Sequence, residues 1–233
     1  MLPATQTVPP DSDALVALPL VGALIGGIAG CGGWLAALAT AHHPVGAAVA
    51  LGLMVAGSGA IHLDGFLDGC DAFFAAVPPE RRHAILKDPR RGSFALAGLL
   101  VIGALWYAAL VSLPPAQYPA LLAFSGALAR AAAVANALVV PPARPAGVVS
   151  GALATRPPAA PLVAEWIALD VAAFALAPPF GTLLVPAALA MALGWGRWIA
   201  GRLGGGLTGD AYGFLIVALE VGLLGALSGL LPR

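Results

Sequence analysis

Seven stretches of this chain are apolar for long enough to cross a lipid bilayer, at about 14–39, 45–61, 93–113, 118–140, 162–178, 181–200 and 212–231. A hydrocarbon core about 30 Å thick needs roughly 20 apolar residues per helix, and within it every backbone amide must find its partner inside the protein. The runs therefore predict an all-α, polytopic integral membrane helix bundle of about seven transmembrane helices. Segments 45–61 and 162–178 lie near the short limit, so either is a candidate re-entrant segment and six or eight spans are the alternative counts. With 60% hydrophobic and 9% charged residues and no formal net charge, a soluble globular protein is excluded and no nucleic-acid partner is expected. The spans leave room for a single membrane domain, 1–233, preceded by a polar tail over 1–13. No secretory signal peptide is expected, because the first apolar run has no basic region before it and is too long for a signal core. Cys31 and Cys70 fall at different membrane depths, which predicts free thiols.

The basic residues set the expected orientation, since Lys and Arg concentrate in cytoplasmic loops close to helix ends. Arg81, Arg82, Lys87, Arg90 and Arg91 follow the second span, Arg144 and Arg156 follow the fourth, and Arg197 and Arg202 flank the end of the sixth. The connections around 40–44, 114–117 and 179–180 carry neither Lys nor Arg. Seven spans then put the N-terminus inside and the C-terminus outside. The loop 78–91, PPERRHAILKDPRR, reads as a short interfacial helix, with Pro in its first turn, Glu80 early, Lys87 late and Pro89 as a stop. Its basic side suits anionic lipid head groups, so membrane lipid is an expected partner. A Gly-rich patch such as GALIGGIAGCGG lets helices approach closely, and an oligomer is compatible with the sequence.

In so apolar a chain, HLDGFLDGCDAFF at 62–74 gathers Asp64, Asp68 and Asp71 at helical spacings of i, i+4 and i+7, which put three carboxylates on one face. Their repulsion calls for a cation, and hard oxygen donors suit Mg²⁺, with Mn²⁺ as the alternative. Such ions bridge to phosphate oxygens, so phosphoryl-type transfer is the chemistry indicated. A second segment, RLGGGLTGD at 202–210, supplies glycines whose amides can face a phosphate, and Asp210 as a fourth carboxylate. The topology puts both segments, 62–92 and 201–211, on the same membrane face as the arginine loop. Asp88, Arg90 and Arg91 join that neighbourhood. Within spans, Arg130 and Glu220 are costly in hydrocarbon and are expected to face the bundle interior, paired with one another or with substrate. His62 is a candidate to support the aspartates from behind.

These residues carry a resemblance. HLDGFLDGCDAFF, then ERRHAILKDPRRGSFA, and later GGGLTGDAYGFLIVALE are similar to the cobalamin synthase family, the adenosylcobinamide-GDP ribazoletransferases, and the likeness runs in order from ALPLVGALIGG to the last span. It implies a bacterial inner-membrane enzyme with its site on the cytoplasmic side. Such an enzyme joins adenosylcobinamide-GDP to α-ribazole, or its 5′-phosphate, in a Mg²⁺-dependent reaction that releases GMP. The family's H-x-D-G-x-x-D-x-x-D pattern falls on His62, Asp64, Gly65, Asp68 and Asp71. Its K-D-x-R-x-G element falls on Lys87, Asp88, Arg90 and Gly92, and its G-G-x-T-G-D element on Gly205, Gly206, Thr208, Gly209 and Asp210. Arg130, Arg144 and Glu220 match further polar positions.

The resemblance thus implies Asp64, Asp68, Asp71 and Asp210 as catalytic and metal-binding residues. Lys87, Asp88, Arg90, Arg91, Arg130, Arg144, Gly205, Gly206, Thr208 and Gly209 are implied to hold substrate and phosphate, with His62 and Glu220 as supporting groups. Ala72, Pro89 and Leu207 depart from the family pattern, where Gly, Ser and Gln are usual. Of two alternatives, one is a different membrane enzyme and one comes from another class. A CDP-alcohol phosphatidyltransferase would show D-G-x-x-A-R followed by G-x-x-x-D-x-x-x-D, which is absent here. A cation transporter would place acids near the midplane of several helices.

Overall fold

Glycine and alanine decide how this bundle packs. In a computed structural model that describes residues 12–143, 148–153 and 157–231, α1 (Ser12–Thr40) runs along α6 (Tyr118–Val139). Gly22, Gly26 and Gly30, one turn apart, lie against the backbone at Gly126, Leu122 and Tyr118 of α6, where any side-chain carbon would collide with main-chain atoms. In a membrane, where lipid tails are as apolar as side chains, such close backbone contact replaces the hydrophobic effect as the force between helices. Gly26→Val should therefore lower the unfolding temperature of the detergent-purified protein, with a loss of about 1–3 kcal/mol or more. Gly52→Val, where a side-chain carbon meets nothing within 4 Å, should leave it unchanged.

The remaining elements complete the bundle. They are α2 (His43–Gly57), α3 (Ile61–Phe73), α4 (Pro79–Ile85), α5 (Ser93–Val111), α7 (Val148–Ala152), α8 (Ala159–Leu176), α9 (Leu184–Leu203) and α10 (Gly209–Leu230). Short 3₁₀ turns precede α6 and α9. Most of α6 and α10 is buried, whereas α5 and α8 present most of their surface outward. Tyr118 joins α5 to α6 by donating to the carbonyl of Leu110 at 2.8 Å, and Asn136 joins α6 to α9 by donating to the carbonyl of Ala192. Both cysteines are free, Cys31 exposed and Cys70 buried.

Six helices are long and apolar enough to cross a membrane, with α2 and α3 as a seventh span if the bent pair is counted as one. The protein is therefore a multi-pass membrane protein. The expected segment 45–61 ends as a helix at Gly57, and α3 sets off at 88° to it. Ser58 turns its hydroxyl back to the carbonyl of Val55 at 3.0 Å, and Gly59 and Ala60 both adopt left-handed backbone, φ 61° and 60°. Left-handed residues cannot continue a right-handed helix. The interfacial helix is also shorter than its loop: α4 stops at Ile85 and passes through hydrogen-bonded turns to Asp88 before Pro89 is reached.

Candidate active site at the ends of α3 and α10

The break at Gly59–Ala60 lays α3 across the ends of its neighbours, and its two faces differ in chemistry. On the apolar side Phe66 stacks on Phe214 of α10, ring centroids 5.0 Å apart, and Phe73 meets the same ring edge-on at 5.5 Å, arrangements that add to simple burial. Between these rings and the acids the backbones touch. A side-chain carbon on Gly65 would stand 3.0 Å from the carbonyl oxygen of Asp210, and one on Gly213 would stand 3.1 Å from that of His62. This contact brings Asp64 and Asp210, 146 positions apart in the chain (210 minus 64), into the wall of one cavity of about 390 Å³.

The three aspartates of α3 take different partners. Arg91, on the loop before α5, pairs through its two terminal nitrogens with Asp64 and with Asp68. Asp64 is 60% exposed and Asp68 14%, so the second is the better shielded from water. Asp71 instead accepts from the amides of Gly92 at 2.6 Å and Ala95 at 2.9 Å, capping α5, whose own N-cap residue is a glycine without a side chain. A carboxylate suits that position, since the first amides of a helix lack partners and carry partial positive charge. Asp71→Asn should cost about 1–2 kcal/mol of stability, measured by thermal unfolding in detergent, and should loosen the segment that carries Arg91. Arg90 folds back on Asp88, which accepts from its side chain at 2.7 and 2.9 Å. These bonds hold the Asp88 carboxyl down at about 2, below the usual carboxylate range. Lys87 is exposed.

The glycine-rich segment forms the other edge. Gly204 and Gly205 take positive φ, 83° and 124°, and end α9, a conformation that glycine adopts without a Cβ penalty. Gly206 packs on the backbone of Ala143, and Leu207 donates to the carbonyl of Pro141 at 3.0 Å and accepts from the amide of Ala143 at 2.8 Å. Thr208 caps α10 by accepting from the amide of Ala211 at 3.4 Å. Gly205 and Gly209 are exposed, while Gly206 is buried. The loop is thus fastened to the chain just ahead of Arg144, which lies outside the described residues, as does Arg156.

Arg130 and Glu220 pair in the interior at 2.8 Å, 2% and 3% exposed. Arg130 also donates to the carbonyl of Gly126 at 2.9 Å and faces Nδ1 of His62 at 3.2 Å. A guanidinium can only donate, so Nδ1 accepts and the ring hydrogen of a neutral His62 sits on Nε2. His62, Asp64, Arg130 and Asp210 make the polar part of the 390 Å³ cavity, and Leu15, Leu18, Val134 and Ile216 are among its apolar walls.

Sequence reasoning missed the clamp that joins the two halves of the site. Arg82, only 5% exposed, donates to the carbonyls of Arg202 at 3.0 Å and Ala75 at 2.9 Å. Arg202 in turn donates to Phe73 and Ala75, each at 2.9 Å. Helix C-termini carry unpaired carbonyls and partial negative charge, which two guanidinium groups satisfy here at the ends of α3 and α9. In the sequence both arginines look like ordinary topology signals. The one available clue was that Arg202 directly precedes the glycine-rich segment.

The four expected ligands do not meet in one cluster. Asp64 and Asp68 share Arg91, Asp64 and Asp210 share the cavity, and Asp71 is spent on amides. Among the described residues no group of three or more His, Cys, Asp or Glu side chains is placed to hold a metal ion. Two carboxylates nevertheless converge on one cationic group, and a pair of carboxylates facing a single guanidinium retains net negative charge. That donor set fits Mg²⁺, which is commonly held by one or two carboxylates with water and substrate phosphate completing its shell.

Fold and site together define a multi-pass membrane protein with an acid and arginine centre at one end of its bundle. Residues 2–228 match the family described as cobalamin-5-phosphate synthase, and the chain belongs to that family. Relatives named adenosylcobinamide-GDP ribazoletransferase include that of Stutzerimonas stutzeri (strain A1501), 36% identical over 96% of this chain and 89% of the relative. That of Pseudomonas paraeruginosa (strain DSM 24068 / PA7) is 39% identical over 92% and 86%. The Deinococcus radiodurans protein is 35% identical over 96% and 79%. No solved structure matches the chain.

Proposed function

We propose that this chain is the membrane transferase that joins adenosylcobinamide-GDP to α-ribazole, or its 5′-phosphate, in cobalamin assembly. The products are adenosylcobalamin, or its 5′-phosphate, and GMP. Family membership across nearly the whole chain supports the reaction, and the observation that carries the site is the convergence of Asp64 and Asp68 on Arg91 beside a cavity that also receives Asp210. A ribazole hydroxyl attacks the cobinamide-side phosphorus, a new P–O bond forms, and the bridging P–O bond to GMP breaks. The hydroxyl proton passes to a carboxylate, for which Asp64 and Asp210 are placed, since both line the cavity. Arg91, with Lys87 and Arg90 on the same exposed loop, neutralises the diphosphate, and Arg144 is assigned to the same task. Asp64 and Asp68 would hold Mg²⁺, which would stabilise charge on the phosphate oxygens. Asp71 serves the metal indirectly, by fixing the start of α5 and with it Arg91. The positive-inside distribution supports a cytoplasmic-facing site in the bacterial inner membrane.

Purified protein given Mg²⁺, adenosylcobinamide-GDP and α-ribazole should release GMP, and chelation should stop it. Absence of GMP in an assay that a known relative passes would refute the reading.

A further inference from the structure

The reaction has two substrates of very different size, and the cavity bounded by α1, α3, α6 and α10 can take only one of them. We infer that this cavity is the acceptor site: it receives the benzimidazole nucleoside, while the corrinoid and its diphosphate stay outside on the Arg91 face. The inference rests on the proposed reaction and adds which substrate occupies which place.

The cavity is too small for the donor. About 390 Å³ is the size of a small-ligand pocket; it accommodates a nucleoside but not a corrin macrocycle with its amide side chains. Its lining separates α-ribazole from the guanosine half of the donor. Leu15, Leu18, Val134 and Ile216 offer no partners to the edge of a base. Guanine would leave its polar edge unpaired against them, which is costly, whereas dimethylbenzimidazole presents methyl groups there. The polar groups gather at one end of the cavity. A ribose bears hydroxyls and needs donors and acceptors at one end only. Asp64 and Asp210 accept, and His62, its Nδ1 committed to Arg130, offers its Nε2 hydrogen. Tyr212 belongs to the same wall, is 9% exposed, and has a hydroxyl without a hydrogen-bond partner among the described residues. That hydroxyl has no surface open to the cavity, so Tyr212 adds no hydrogen-bonding group to its polar end. Asp64 both lines the cavity and pairs with Arg91, so a hydroxyl entering from the nucleoside side meets the phosphate side at this carboxylate.

Leu18 is 37% exposed, so a larger residue there narrows the cavity without repacking the core. In GMP-release assays Leu18→Trp should raise KM for α-ribazole by about tenfold or more and leave KM for adenosylcobinamide-GDP unchanged. Equilibrium dialysis of α-ribazole alone against the Asp68→Asn protein separates binding from turnover, because Asp68 does not line the cavity. Binding should persist in that variant and be lost when Leu18→Trp is added. Wild-type protein that binds α-ribazole but makes no GMP would sink the reaction and leave the cavity assignment standing. An active Leu18→Trp protein with unchanged KM for α-ribazole, or with a raised KM for the corrinoid donor instead, would overturn the assignment.

Discussion

Asp68→Asn is expected to reduce Mg²⁺-dependent GMP release by on the order of a thousandfold while the amount of folded protein in the membrane stays the same. Of the two carboxylates that share Arg91, Asp68 is the more shielded, at 14% exposure against 60% for Asp64. Less water around it means weaker screening and a stronger field at the phosphate. Asparagine keeps the shape and one acceptor oxygen but removes the charge. It should therefore spare the Phe66–Phe214 and Phe73–Phe214 contacts that hold α3 in place. The measurement is GMP release over a Mg²⁺ titration, with membrane levels read by immunoblot. Activity within a few-fold of wild type would remove Asp68 from the metal site and shift the proposal to Asp64 with Asp210.

The largest stability effect is expected from Glu220→Ala. It leaves Arg130 charged and 2% exposed, with one neutral carbonyl and one imidazole nitrogen as its remaining partners. Breaking one side of a buried pair costs roughly 3–5 kcal/mol, whereas replacing both sides with apolar groups of similar size is often neutral. Glu220→Ala should therefore fail to accumulate or should unfold early in detergent. The double variant Arg130→Met with Glu220→Leu should recover most of that stability. If the pair also orients His62, the double variant should remain impaired in turnover although it is folded. Full activity there would make the pair purely structural.

How much of this was open to sequence reading depends on the distance between partners along the chain. The spans were legible because hydropathy is a local sum, and the three aspartates of α3 were legible because helical spacing is local. The end of the segment 45–61 was harder to place: SGA at 58–60 looks like a pause in an apolar run, and its left-handed turn follows from backbone angles that no hydropathy average contains. Arg82 and Arg202 read as topology signals because their partners are main-chain carbonyls at the ends of other elements. Tyr212 passed unremarked inside an apolar helix. A hydroxyl's lack of a partner is a fact about its surroundings.

Side-chain chemistry read along the chain is enough to establish that this protein lives in a bilayer, that its charge gathers in a few segments, and that three acids share one helical stretch. Those properties come from side-chain chemistry and from periods of a few residues. How the acids divide is visible only in the folded chain: Asp64 and Asp68 on Arg91, Asp71 on the amides that begin α5, and Asp64 with Asp210 at one cavity. That division follows from the backbone contact at Gly65 and Gly213, with the 88° turn before α3 that permits it. Close approach of two helices depends on what is missing from both of them at the point where they meet.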